Sequence, residues 1–261
     1  MKIHALAENT PSAPGFLYEH GLSLYIEHQG KNILFDTGAS GGFAENAGKM
    51  GLDLSRVDFA FLSHGHYDHG GGLRRFTELN STAPVYISPA AFGDYYNAEN
   101  KYIGLDRSLE GRSRFVTLEK VKISGSIELY PSFGELAHPL DSAGLTELRD
   151  GKLIPDSFLH EQYMLLRENG KRVLFSGCSH SGILNIVEHF EPDVLIGGFH
   201  FMKKEILNGK CPELDRAAEL LSSHDCIYCT CHCTGLPQYE YLRERMGDRL
   251  RYLSSGQSIE I

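Results

Sequence analysis

Residues 64 to 69 read His-Gly-His-Tyr-Asp-His, which places three imidazoles and a carboxylate within six positions. Buried neutral imidazoles each need a partner, and protonated ones at this spacing repel one another. A shared divalent cation resolves both problems, because imidazole nitrogens and carboxylate oxygens are common metal ligands. His64 and His66 are two residues apart, so an extended backbone points both the same way. Asp68 and His69 follow on the next bend, so the spacing predicts a second ligand position nearby.

The length and composition of the chain exclude several classes of protein. The chain has 261 residues, of which 41% are hydrophobic, enough to bury a large core. Its 34 acidic residues outnumber its 25 basic ones, and no lysine or arginine stripe is present, which argues against a nucleic-acid partner. No apolar run approaches the roughly 18 residues of a membrane span, and the amino terminus lacks a signal-peptide pattern. We therefore expect a cytoplasmic globular protein with no membrane partner; the oligomeric state stays open.

Hydrophobic periodicity indicates the elements that must hold the cluster. Segments 21–38 and 161–177 each read as a β-hairpin, with turns at Gln29 to Lys31 and at Asn169-Gly170. Nearly continuous apolar runs at 57–63 and 193–199 predict buried strands, and the first ends at the His/Asp cluster. Helices are predicted in segments 41–51, 71–80, 181–190, 212–224 and 237–246.

The order of these elements predicts an α+β fold, with two mixed sheets packed face to face and helices outside. Residues 1–261 contain no composition break that would mark a linker, so a single domain is expected. Between about 93 and 155 only segments 114–118 and 126–131 look like strands. This stretch is predicted to be an insertion or a lid-like region.

Seven segments together carry a resemblance to a known family: EHGLSLYIE, ILFDTG, SHGHYDHGGGL, HEQ, GCSHSGI, GGFH and HCTG. SHGHYDHGGGL is similar to the HxHxDH signature of the metallo-β-lactamase superfamily, whose fold is an αβ/βα sandwich with one or two metals at the sheet edge. More narrowly, the segments resemble the branch named for a 7,8-dihydropterin-6-methyl-4-(β-D-ribofuranosyl)aminobenzene-5′-phosphate synthase of methanopterin biosynthesis. The resemblance spans residues 19–235.

The resemblance implies roles for the histidines and the aspartate. His64 and His66 would hold a first metal, while Asp68 and His69 would reach a second. His232, in HCTG, matches the family's final metal histidine. Asp68 is also the residue expected to orient a water molecule or take its proton, which makes it the candidate catalytic residue.

Two ligand positions stay open. Many superfamily members have an aspartate bridging the metals directly after the glycine of LFSG; here that position is Cys178, a less certain ligand. The last histidine of the first site is either His180, which the GCSH pattern favours, or His160, which lies before the strand as in the wider superfamily. The implied cofactor is one or two divalent metal ions, with zinc favoured and iron or manganese as alternatives.

Four more polar residues belong to segments of the branch, and they are candidates for contacting substrate or for orienting ligand imidazoles. They are Glu19, His20, Glu161 and His200. Asp36, in FDTG, is expected to fix a loop as a hydrogen-bond acceptor and not to bind metal.

The cysteine-rich segment CIYCTCHC has two interpretations. Its thiols could hold a separate structural zinc. Alternation along a strand instead favours Cys229, Cys231 and Cys233 as small apolar fillers on one face, opposite His232.

Metals held by such ligands polarise a carbonyl or phosphoryl oxygen and lower the pKa of water toward neutrality. The expected function is therefore a metal-dependent hydrolase, or a related lyase or synthase, with a small anionic metabolite as substrate. The resemblance alone suggests a pterin-like or phosphorylated compound. Two alternatives stay open: a β-lactam or lactone hydrolase, and a non-catalytic metal or redox sensor in which Cys178 and the cysteine-rich strand respond to oxidation.

Overall fold

The computed structural model of the chain describes residues 1–112, 114–117, 121–134 and 136–261. The strands of its first half are β1 (Lys2–Ala7), β2 (Ser23–His28), β3 (Lys31–Phe35), β4 (Phe59–Phe61), β5 (Val85–Ile87), β6 (Tyr95–Tyr96) and β7 (Phe115–Thr117). Those of the second half are β8 (Val121–Ser124), β9 (Ile127–Pro131), β10 (Thr146–Arg149), β11 (Lys152–Pro155), β12 (Gln162–Glu168), β13 (Lys171–Phe175), β14 (Val194–Ile196), β15 (Ile227–Thr230), β16 (Leu250–Tyr252) and β17 (Ser258–Glu260). The α-helices are α1 (Gly42–Lys49), α2 (Tyr67–Gly70), α3 (Leu73–Leu79), α4 (Ile183–Phe190), α5 (Pro212–Ser223) and α6 (Leu236–Met246).

Within these ranges the strands form two seven-stranded sheets and one small sheet. The strand orders are β17-β1-β2-β3-β4-β5-β7, β16-β15-β14-β13-β12-β9-β8 and β11-β10-β6. In each large sheet an antiparallel hairpin, β2–β3 or β12–β13, is followed by strands that pair in parallel. The predicted fold of two mixed sheets is confirmed.

Both hairpins turn where the sequence predicts. Gln29 and Gly30 have φ angles of 48° and 76°, and Asn169 and Gly170 have φ angles of 50° and 81°. Two successive residues with positive φ give a turn whose twist matches the twist of the flanking strands. Asparagine and glycine tolerate this backbone well, which is why Asn169-Gly170 is a strong hairpin signal.

The apolar runs are continuous because the strands are buried on both faces. On β14, Val194 and Ile196 belong to the core between the two large sheets, whereas Leu195 packs outward under the helices. The Phe35 ring of the first sheet lies 5.7 Å from the Phe175 ring of the second, measured between centroids. Helices α4, α5 and α6 cover the outer face of the second sheet, so the helices lie outside as predicted.

The stretch 93–155, predicted to be an insertion or a lid-like region, is divided among all three sheets. β7 extends the first large sheet, β8 and β9 extend the second, and β6, β10 and β11 form the small sheet. Of the predicted strand 114–118, residues 115–117 form β7, and residue 118 lies outside the described residues. No described helix is long and apolar enough to cross a membrane.

Candidate metal centre

The predicted ligands lie in loops that follow parallel strands of the two sheets. The HGHYDH segment follows β4, Cys178 and His180 follow β13, and His232 follows β15. Neighbouring parallel strands bring their carboxyl ends to one edge of a sheet, and the face-to-face packing sets the two edges together. Residues more than one hundred positions apart in sequence therefore meet in one cluster.

Three histidines form a first cluster, which we call the tri-histidine cluster: His64, His66 and His180. Their ring centroids are 4.7 Å apart for His64 and His66, 4.9 Å for His64 and His180, and 5.0 Å for His66 and His180. Among the described residues, Nε2 of His64, Nε2 of His66 and both nitrogens of His180 have no hydrogen-bond partner. Buried polar atoms without partners are rare and costly, so these neighbouring imidazoles fit a cation. Burial lowers the pKa of His64 and of His180 well below the usual value, which keeps both neutral, as metal binding requires.

His160, the other candidate for this position, has both nitrogens occupied. Its Nδ1 accepts a hydrogen bond from the Gly65 N–H at 3.0 Å, so the ring proton is on Nε2, which lies 3.2 Å from Oδ2 of Asp156. The same Asp156 oxygen is 3.8 Å from Nε2 of His66. His160 therefore holds the backbone of the HGHYDH segment, while His180 presents free nitrogens to the cluster.

A second cluster joins Asp68, His69 and His232. Nε2 of His69 and Nε2 of His232 are 3.2 Å apart, and Oδ2 of Asp68 is 3.3 Å from Nε2 of His232. The opposite nitrogens are fixed by the surroundings: Nδ1 of His69 bonds to Oδ2 of Asp36 at 2.6 Å, and Nδ1 of His232 to Oδ1 of Asn9 at 2.8 Å. Such partners orient ligand imidazoles so that Nε2 faces the metal. The role of Asp36 as a hydrogen-bond acceptor agrees with the prediction.

Cys178 lies between the two clusters. Its Sγ is 3.1 Å from Nε2 of His69, and its thiol also groups with His64 and His180 within 4.8 Å. Burial raises the pKa of this thiol well above its usual value, and the nearby Cys233 thiol adds to the effect. The cysteine thus stands between the two clusters, at the sequence position where the resemblance implied an aspartate.

Two of the four predicted substrate or outer residues hold loops. Glu161 accepts hydrogen bonds from the backbone N–H groups of His180 and Ser181, at 2.7 and 2.8 Å, and from the Tyr163 hydroxyl. Glu19 accepts from the N–H groups of Ala39 and Ser40 and from the Ser40 hydroxyl.

The other two, His20 and His200, face a cavity next to the predicted metal ligands. Nε2 of His20 is 3.4 Å from Oδ2 of Asp68, and the His200 ring centroid is 4.4 Å from that of His180. Both line a cavity of about 240 Å³ together with His66, Asp68 and His180.

Sequence reasoning missed two buried carboxylates, Asp156 and Glu8. Oε1 of Glu8 accepts the His232 backbone N–H at 2.7 Å and the Tyr252 hydroxyl at 2.6 Å. This holds His232 in the left-handed region, at a φ of 48°. Neither carboxylate belongs to a recognisable motif, because each acts through a contact that is distant in sequence.

The cysteines of the cysteine-rich segment lie in two places, the core between the sheets and the wall of the cavity. Cys229 and Cys231 fill the core between the sheets, as predicted. Cys233 does not share that face: β15 ends at Thr230, and the turn that follows places its thiol 3.5 Å from the Cys178 carbonyl oxygen, beside the cavity. No candidate metal-binding group found among the described residues includes these thiols or Cys226.

This fold and these ligand clusters define the class. The chain belongs to the metallo-β-lactamase superfamily, whose model matches residues 19–208. The superfamily consists largely of metal-dependent hydrolases that bind divalent metals.

Three relatives narrow the comparison. An uncharacterized protein of Methanocaldococcus jannaschii is 30% identical over 89% of this chain and 90% of its own length. The 7,8-dihydropterin-6-methyl-4-(β-D-ribofuranosyl)-aminobenzene-5′-phosphate synthase of the same organism is 27% identical, covering 100% of this chain and 96% of the synthase. The crystal structure of Tm1679, described as a metal-dependent hydrolase of the β-lactamase superfamily, superposes with a TM-score of 0.84 at 28% identity, over 100% of this chain and 99% of Tm1679.

Proposed function

We propose that this protein is a metal-dependent hydrolase, or a related synthase, that acts on a small anionic metabolite. The observation that carries the proposal is the set of buried imidazole nitrogens without hydrogen-bond partners in the tri-histidine cluster. A fold that needed these histidines only for packing would satisfy their nitrogens internally, as it does for His160.

The donor set fits two divalent ions. In the proposal, the tri-histidine cluster holds the first ion, and Asp68, His69 and His232 hold the second, with Cys178 between them. The ligand atoms of His64, Cys178 and His180 lie within 4.8 Å of one another, and so do those of His69, Cys178 and His232. Imidazole, carboxylate and thiolate together favour zinc, while iron and manganese suit the same nitrogen and oxygen donors. Bound ions would polarise a carbonyl or phosphoryl oxygen of the substrate and lower the pKa of water toward neutrality.

Asp68 is the proposed catalytic residue. Burial opposes its ionisation, but the neighbouring His69 and His232 hold the pKa of its carboxyl well below the usual value. The group is therefore a carboxylate at neutral pH, and it lines the cavity that the substrate would enter. A carboxylate in this place accepts a hydrogen bond from water, orients it and takes up its proton.

The substrate class is supported by the relatives and by the cavity lining. The synthase of M. jannaschii is named for a phosphorylated pterin compound, and we propose a substrate of related chemistry, with a ring and an anionic group. His20, His200 and Lys203 line the cavity and can donate hydrogen bonds to such an anion.

Metal content per chain tests the proposal. We expect about two metal equivalents in the protein purified without added metal, because each cluster offers three donor residues and Cys178 offers a further one. Asp68→Ala and His180→Ala should each lose about one equivalent, whereas His160→Ala and the control His224→Ala should keep both. If His160→Ala lost one metal equivalent and His180→Ala kept both, His160 and not His180 would be the ligand of the first metal. No bound metal, or content indifferent to all the changes, would overturn the proposed function.

A turnover assay separates an enzyme from a metal sensor. We expect zinc-loaded protein to hydrolyse at least one member of a panel of aryl phosphates, phosphodiesters and lactones. Asp68→Ala should then lower kcat about a hundredfold or more, as for other positioned acid–base groups. Metal binding without turnover on any member would favour the sensor alternative.

A further inference from the structure

A second cavity adjoins the metal centre. This cavity, called here the side cavity, has a volume of about 500 Å³ and shares His180 and His200 with the cavity next to the predicted metal ligands. Its apolar walls include the buried side chains of Ile183, Phe199 and Ala217. A volume of this size accommodates a metabolite-sized group.

His180 has one nitrogen more than the metal centre needs. The two nitrogens lie on opposite sides of the imidazole ring, so one ion binds only one of them. In most metal sites the other ring N–H is donated to a protein acceptor. Among the described residues neither nitrogen has a partner, although His180 is only 4% exposed. A buried N–H without an acceptor is costly, so an acceptor atom of a ligand in the side cavity would satisfy it.

The amino end of α4 also faces the side cavity. Gly182, Ile183 and Leu184 line it, and no side chain caps the helix. The first N–H groups of an α-helix lack partners within the helix, and the helix dipole makes this end positive. An anionic oxygen is favoured there.

One cationic side chain that lines the side cavity has no partner among the described residues. Lys204 is paired with Asp141 at 3.0 Å, and Glu213 lies against the Cys211 thiol. Arg216, by contrast, has no ion pair or hydrogen bond within the described part of the chain, and it lines the cavity one helical turn after Glu213 on α5. An exposed guanidinium at a cavity rim is a ready partner for a carboxylate or a phosphate.

We propose that the side cavity binds the part of the substrate that does not react, and that this part is a ring carrying an oxyanion. The oxyanion accepts hydrogen bonds from His180 and from the amino end of α4, and its charge faces Arg216. The ring packs against the apolar wall. The inference rests on the proposed function, because the substrate must reach the metal centre and the side cavity together.

Three thiol probes test this inference by binding alone. Benzyl mercaptan presents a thiol to zinc and a ring to the side cavity, and 3- and 4-(mercaptomethyl)benzoate add a carboxylate at two distances. We expect zinc-loaded protein to bind one benzoate at least about tenfold more tightly than benzyl mercaptan, measured by calorimetry. This advantage should disappear in Arg216→Gln and persist in Arg243→Gln, an arginine of α6 that is ion-paired with Asp248.

The outcomes are distinguishable. Equal binding of all three thiols to the unaltered protein, or an advantage that survives in Arg216→Gln, would overturn the inference and leave the proposed function intact. Failure of every thiol to bind zinc-loaded protein would overturn the proposed function, and the inference with it.

Discussion

At the scale of single residues, the metal affinity of the proposed centre depends on the hydrogen-bond partner of each imidazole's second nitrogen. Asp36 shows this most directly, since its carboxylate joins His69 to Ser63. Oδ2 accepts from Nδ1 of His69 at 2.6 Å and from the Ser63 hydroxyl at 2.7 Å, while Oδ1 accepts the Ser63 N–H. A buried anion in this position makes the imidazole a better metal ligand and fixes its orientation.

We expect Asp36→Asn to weaken metal affinity by a factor of about 10 to 100, because the amide orients His69 but no longer polarises it. Competition against a chromogenic chelator measures the effect. The matched control is Asp248→Asn, whose side chain is 98% exposed and should leave affinity unchanged. Equal affinities in all three proteins would show that Asp36 serves only to fold the loop.

Some candidate ligands could be predicted from the sequence, and others could not. His64, His66, Asp68 and His69 could be identified because they are adjacent in sequence, so their spacing carries the information. The sequence could not show that His160 is held by Asp156 and by the N–H of Gly65, because both contacts are distant in sequence. Hydrogen bonds of this kind leave no pattern in a single chain.

At the scale of elements, the loop between β13 and α4 carries both Cys178 and His180 and depends on one carboxylate. Glu161, just before β12, is fully buried and accepts two backbone N–H groups of this loop. Ser179 within the loop has a φ of 58°, a left-handed backbone that costs free energy unless its surroundings enforce it.

We expect Glu161→Gln to lower the free energy of unfolding by about 1–3 kcal/mol, because an amide N–H₂ would face a backbone donor. The first metal should be lost together with the loop geometry. Urea unfolding of metal-loaded and metal-depleted protein gives both values. Glu219→Gln, on the exposed face of α5, is the control. A variant with unaltered stability would mean that the strands alone fix the loop.

The elements themselves were largely predictable. Both hairpins follow from turn residues and alternation, and α5 from Pro212 in its first turn and a regular apolar stripe. The small sheet escaped prediction because β6, β10 and β11 are short and half-exposed, so their patterns carry little hydrophobic contrast. Likewise, the strand alternation predicted for Cys229, Cys231 and Cys233 does not reach Cys233, because β15 ends at Thr230 and the turn at His232 follows.

At the scale of the whole molecule, the buried histidines couple folding to pH. Burial lowers the pKa of His64, His160 and His180, and it lowers that of His200 to about 4. In the unfolded chain these groups take up protons below about pH 6.5, whereas in the folded chain they stay neutral. The folded state is therefore fully favoured above that pH and loses stability as the pH falls toward the folded pKa values.

We expect the metal-depleted protein to lose at least about 2 kcal/mol of unfolding free energy between pH 7.5 and 5.5, since each such histidine contributes up to about 1.4 kcal/mol per pH unit. Urea unfolding at the two pH values measures the loss. In His180→Ala this loss of unfolding free energy should be smaller, because one titrating group is absent. In His224→Ala the loss should be unchanged. Identical stability at both pH values would contradict the neutral state of the cluster.

The division of the ligands between the two sheets has a consequence for synthesis of the chain. During translation, the segment with His64, His66, Asp68 and His69 emerges from the ribosome long before Cys178, His180 and His232. The edge strand β17 of the first sheet lies later in the chain than all of these residues. A nascent chain that has not yet exposed His180 and His232 offers only part of each proposed ligand set, so tight metal capture must wait until both residues have been synthesised. A bound ion would then join the two halves of the fold only after both halves are present.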